Sequence, residues 1–105
     1  MRDPGDVYWY DFPQPIGPHP VVVVSRETNR NSVIAVMITS KPQGLAVDVL
    51  PLAGLDCERF VGGWARGDLV ANLPRADAYW RQFIGRMTDE DLERVRTCVS
   101  AAVGK

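Results

Sequence analysis

Apolar positions along the chain fall into short runs broken by proline, glycine and asparagine. Residues 6–12 put four aromatic side chains (Tyr8, Trp9, Tyr10 and Phe12) between Gly5 and Pro13, which reads as a strand with marked ends. A strand sends successive side chains to opposite faces, so the Tyr8-Trp9-Tyr10 run must present aromatic rings on both. The valine run at residues 21–24 predicts a buried strand closing at Ser25. Residues 33–39 predict the next one, and residues 46–50 alternate apolar and polar, as a half-exposed strand does. Residues 63–71 predict a strand with Gly67 at a bend or bulge. Residues 77–82 read as one helical turn, and residues 83–87 as a short last strand. Turns are expected at residues 27–31, rich in Asn, and at residues 40–44, while residues 51–62 carry no clear period. Residues 13–20 hold four prolines and are expected to form a stiff surface loop, because proline lacks the amide hydrogen a central strand or helix needs.

The tail predicts a helix. Thr88 suits the N-cap, and Asp89, Glu90 and Asp91 follow where the helix dipole favours negative charge. Leu92, Val95, Val99 and Ala102 recur at helical spacing, Cys98 joins their face, and Gly104 is a natural stop. Several short strands and one closing helix predict a mainly β single domain over residues 1–105, a small and strongly bent sheet or barrel.

Composition agrees with a folded globular chain: 105 residues, 46% hydrophobic and 24% charged. No apolar run reaches the roughly 18 residues a membrane span needs, and the opening residues lack a signal peptide's apolar stretch, so a cytoplasmic protein without membrane contact is expected. Cys57 and Cys98 stand far apart and His19 is the single histidine, so neither a metal site nor a cofactor is expected. The net charge of −1 does not announce a nucleic-acid partner. Four of the thirteen acids, however, are Asp89, Glu90, Asp91 and Glu93 in the tail. A local basic groove elsewhere remains open, most easily one shared by two copies.

Five stretches, in order, resemble the PemK/MazF toxins. "PGDVYWYDF" resembles that family's opening strand, and "HPVVVVS" stands where the family has Arg-Pro and an aliphatic run. "NRNSVIAVMITSK" resembles its strand ending in Thr-Ser. "WARGDLVANLPR" is similar to its Arg-Cys-Asp-Gln stretch and the turn after it, and "FIGRMTDEDLERV" to its closing strand and C-terminal helix. The resemblance implies an SH3-like barrel that forms a homodimer. It implies a metal-independent endoribonuclease acting on single-stranded RNA, with a cognate antitoxin protein as partner. Two departures stand out: His19 occupies the place of the arginine before proline, and Leu69-Val70-Ala71 follows Asp68 where Gln-Ile-Arg is common.

Metal-free cleavage of RNA uses the 2′-hydroxyl as nucleophile. It needs a base for that proton, a cation or strong donor for the phosphorane-like transition state, and an acid for the departing 5′-oxygen. By the resemblance, Asp68 falls on the family's acid and is the candidate base. Arg66, two residues earlier, shares a face with it in a regular strand and offers the rigid donor fork that fits phosphate. His19 carries the one side-chain type suited to exchange protons near neutrality and is the candidate acid. Thr39 matches the family's threonine, and its hydroxyl suits a phosphate oxygen, as does that of Ser40. Lys41, Arg26, Arg30 and Arg75 are candidate RNA-backbone contacts. Trp9, Trp64 and Trp80 suit either base stacking or packing. Each of these residues equally suits a surface or capping role. The sequence leaves open a second reading, a non-catalytic SH3-like module that binds a protein or RNA partner.

Overall fold

The computed structural model describes residues 2–25, 32–39 and 64–103; for Thr39, Trp64, Arg66, Gly67, Asp68 and residues 101–103 it describes the backbone. The expected strand at residues 46–50, the turns at residues 27–31 and 40–44, and Cys57 lie outside the described residues.

Among the described residues there are five strands and one α-helix: β1 (Asp6–Asp11), β2 (Pro18–Val23), β3 (Ser32–Thr39), β4 (Trp64–Pro74), β5 (Trp80–Arg86) and α1 (Asp89–Val103). They form one antiparallel sheet in the order β4-β3-β2-β1-β5. The helix begins as its sequence dictates, with the Asp91 N–H donating to the Thr88 hydroxyl at 3.1 Å. None of the described helices is long and apolar enough to cross a membrane.

Strand alternation sorts the core onto two faces. Toward α1 lie Val7, Val22, Val36, Ile38, Ala65 and Ile84, which meet Leu92 and Val95 of the helix, with Trp9 and Cys98 half-buried beside them. Toward the other face lie Tyr10, Val21, Val23, Val33, Ala35, Leu73 and Trp80, with Tyr8, Phe12 and Met37 packed against them. The aromatic run of β1 thus splits as period two requires, Trp9 to one side and Tyr8 and Tyr10 to the other. Each large aliphatic side chain buried this way contributes about 1.5–3 kcal/mol.

β4 and β5 occupy opposite edges, about 19 Å apart if the sheet were flat. Yet the Trp80 indole N–H donates to the Pro74 carbonyl at 2.8 Å, joining the start of β5 to the end of β4. The sheet therefore curls until its edges meet at this corner. Among the described residues β4 and β5 share no ladder, and the described strands form a curled sheet consistent with the expected bent sheet or barrel.

Three expectations need correction. The helical turn is only a 3₁₀ turn, Asp77–Tyr79. β5 starts three residues before the expected Phe83, because Trp80 pairs with Tyr10 and packs in the core. Pro18, His19 and Pro20 belong to a strand rather than a loop, and that strand is central. The missing proline amides explain the exception. The Val24 N–H donates to Ile34 in β3, so even-numbered residues of this stretch aim their amides toward β3. Pro18 and Pro20 pair with β1, while pairing with β3 starts only at Val21. Pro18 and Pro20 thus hold their place in the sheet through their pairing with β1.

Candidate functional site

β2 carries His19 opposite Tyr10 of β1. The imidazole is half-buried, and its Nδ1 is enclosed without a hydrogen-bond partner.

β4 supplies the second part. Val36 pairs with Val70, but Ile38 pairs with Ala65, so the register jumps between them. One residue of β3, Met37, faces four of β4: Arg66, Gly67, Asp68 and Leu69. The extra residues bend the strand and take the segment out of regular pleating. Gly67 had marked this position as a bulge. The argument that puts Arg66 and Asp68 on one face assumes a regular strand, and the β3–β4 register is irregular at these residues.

Backbone positions bring these segments near one another. Met37 is itself paired to Val21 of β2, two residues after His19. Continuing that register past its last paired residues sets His19 level with Thr39, and Thr39 pairs with Trp64 at the start of β4. Neighbouring strands lie about 4.8 Å apart, so β2, β3 and the irregular part of β4 span about 10 Å. His19, Thr39, Arg66 and Asp68 are gathered at one margin of the sheet. Arg75 is not with them: it follows the far end of β4, where its carbonyl accepts from the Arg2 guanidinium at 3.1 Å. Arg26, Arg30, Ser40 and Lys41 lie outside the described residues. Trp80 is buried, and the half-buried Trp9 packs on the helix side.

At the far corner a residue that sequence reasoning missed holds the fold. Arg2 is buried; its guanidinium lies 4.4 Å from the centre of the Trp80 ring and 5.5 Å from that of Tyr8, and donates to Asp77 at 2.6 Å. That hydrogen bond and charge hold the Asp77 carboxyl below its ordinary pKa. Burial raises the Tyr8 and Tyr10 phenols above theirs, with Asp6 and Tyr79 respectively adding to it. Asp6, also buried, accepts from the Asp3 amide and from Arg86 at 2.8 Å. No local sequence signal marks Arg2, since its hydrogen-bond partners lie more than seventy residues away. Among the described residues no group of three His, Cys, Asp or Glu is placed to hold a metal ion.

A single family model spans nearly the whole of this sheet-and-helix arrangement: the PemK-like, MazF-like toxin of type II toxin–antitoxin systems, matched over residues 3–103. The chain belongs to that family. Solved structures agree on the fold of this PemK/MazF-family toxin. MazF from Deinococcus radiodurans is 19% identical with a TM-score of 0.78, covering 100% of this chain and 98% of its own. An endoribonuclease in complex with its cognate antitoxin, from a mycobacterial species, is 20% identical at a TM-score of 0.77, with 99% and 96% covered. A MazE–MazF complex from Deinococcus radiodurans is 22% identical at 0.74, with 99% and 96% covered. No curated protein matches the toxin chain.

Proposed function

We propose that this toxin is a metal-independent endoribonuclease that cuts single-stranded RNA and is restrained by a cognate antitoxin. Family membership supports the class of activity, and relatives of the same fold are named as endoribonucleases and as antitoxin complexes. The observation that carries the reading is the register jump in β4 at residues 66–69, one strand removed from the β2 segment that holds His19.

In this reading Asp68 takes the proton of the 2′-hydroxyl, whose oxygen attacks the adjacent phosphorus. The Arg66 guanidinium and the Thr39 hydroxyl donate to the phosphoryl oxygens as charge builds on them. His19, through Nε2, hands a proton to the departing 5′-oxygen as the P–O5′ bond breaks. The products are a 2′,3′-cyclic phosphate and a 5′-hydroxyl. Positioned proton transfer of this kind is worth about 10²–10⁴-fold for each group. Arg26, Arg30, Ser40 and Lys41 serve as contacts to the RNA backbone, with Arg75 a distant contact beyond the far end of β4, and the active form is a homodimer.

The test is to incubate the purified chain with a long defined RNA in EDTA and map both ends of every cut. The reading predicts cuts with cyclic-phosphate and 5′-hydroxyl ends that disappear in Asp68→Asn while the melting temperature holds. RNA left uncut by a chain that still binds a partner protein would replace it with the non-catalytic binding module. Full activity in Asp68→Asn would remove Asp68 from the chemistry.

A further inference from the structure

Beside the β2 segment that carries His19, the sheet holds an open cavity of about 320 Å³ lined by Trp9, Pro18, Arg81 and Gln82. Three strands build it. Trp9 of β1 is paired to Gln82 of β5, so the ring and the amide are direct cross-strand neighbours. Arg81 sits where the β1–β5 register shifts between Trp9 and Tyr10, and that irregularity frees it from the ladder's strict alternation. Pro18, paired with Asp11, closes the wall and directly precedes His19.

The lining combines three chemistries. Trp9 is half-buried against the helix-side core and lines the cavity with part of its aromatic side chain. Gln82 is exposed and carries a carbonyl acceptor beside two amide donors. Arg81 reaches Asp11 at only 3.5 Å, and the two side chains are 58% and 41% exposed, so this is a loose surface pair that a stronger anion displaces. The volume is at the small end of ligand pockets, room for one ring system and not for a row of them.

We infer that this cavity is a subsite for a single nucleobase flanking the cleaved link, and that it sets the sequence preference of the toxin. The inference rests on the endoribonuclease reading. The base stacks on Trp9, its polar edge pairs with the Gln82 amide, and Arg81 leaves Asp11 to hold the neighbouring phosphate. Stacking on an aromatic face tolerates any base. The amide, in contrast, discriminates, because it matches an edge that shows a donor beside an acceptor. Strand alternation puts Pro18 on the Trp9 side of the sheet and His19 on the other. The base held in the cavity is therefore a neighbour of the cleaved nucleotide, with the RNA passing over the rim at the start of β2.

The test uses the full-length chain and an RNA pool randomised around one cut site, sequenced after partial digestion. Alongside it, fluorescence anisotropy measures binding to the same pool carrying 2′-O-methyl groups, which cannot be cut. Gln82 and Arg81 are both exposed, so their variants are first matched to the wild type by melting temperature. Gln82→Ala is expected to flatten preference at one flanking position, where the wild type discriminates about 5- to 100-fold, and to leave the other positions alone. Arg81→Ala is expected to weaken binding to all sequences alike and to reduce the slope of log affinity against log salt by about 0.7. A Gln82→Ala profile identical to the wild type at every position overturns the subsite and leaves the endoribonuclease reading standing. Base preference that depends on Gln82 in the uncut pool, without cleavage of the normal one, keeps the subsite and overturns the nuclease. A wild-type chain that neither binds nor cuts the pool overturns both.

Discussion

β4 is built as two strands in one. Its second half, from Val70 to Pro74, runs in unbroken register with residues 32–36 of β3. It then ends at a corner where Trp80, Arg2 and Asp77 tie it to β5. Its first half pairs through Trp64 and Ala65, then pushes out four residues against the single Met37. The fastened half is where the buried cation and its rings meet. The irregular half is where the family resemblance had put Arg66 and Asp68. A bulge forgoes ladder hydrogen bonds, so it persists where the regular pairing on either side holds it open. The contrast teaches how one strand can be built two ways: regular pairing fixes residues 70–74 against β3, and the interrupted register sets residues 66–69 apart from that ladder.

The sharpest way to break that contrast is at the irregular margin. His19→Ala should slow RNA cleavage by about 10²–10⁴-fold, read as single-turnover rate, without lowering the melting temperature. A parallel loss of rate and stability would make His19 a packing residue. At the fastened corner, Arg2→Ala should destabilise the fold by about 1–3 kcal/mol in denaturant melts, since it removes the buried guanidinium's hydrogen bond to the Arg75 carbonyl and strips the cation from the rings. Trp80→Phe keeps an aromatic ring but loses the N–H that reaches Pro74 and part of the buried indole, and should cost about 1–3 kcal/mol in the same assay. The smallest effect concerns pH. Asp77 is held below its ordinary pKa by Arg2, so the folded state favours the carboxylate. The stability it adds is present above the unfolded-state pKa and is lost as pH falls through the folded one. Thermal melts from pH 5 downward should therefore show an acid-side decline that is shallower in Asp77→Asn.

The fold was legible wherever its causes are local. Thr88 caps the helix because the acids and the apolar spacing follow it directly, and the valines of β2 declare burial by themselves. Reading failed where the cause sits across the sheet. Whether Pro18 and Pro20 can stand in a central strand depends on which neighbour lacks a partner at that level, and nothing near residue 18 says so. Trp80 joins β5 because Tyr10 lies opposite, and Arg2 is recruited by a corner more than seventy residues away. The candidate site was half legible. Gly67 marked the irregularity, and residue chemistry suggested roles, but that β2, β3 and β4 meet at one margin follows from strand order, which no local pattern encodes.

The most direct test measures cleavage rate and unfolding free energy together for Asp68→Asn and Arg2→Ala. The two halves of β4 predict a crossed result: the first variant loses cleavage and keeps its stability, while the second loses stability and, at a temperature where it stays folded, keeps its cleavage rate. Loss of both properties in Asp68→Asn, or loss of cleavage in fully folded Arg2→Ala, would contradict the division of labour within the strand.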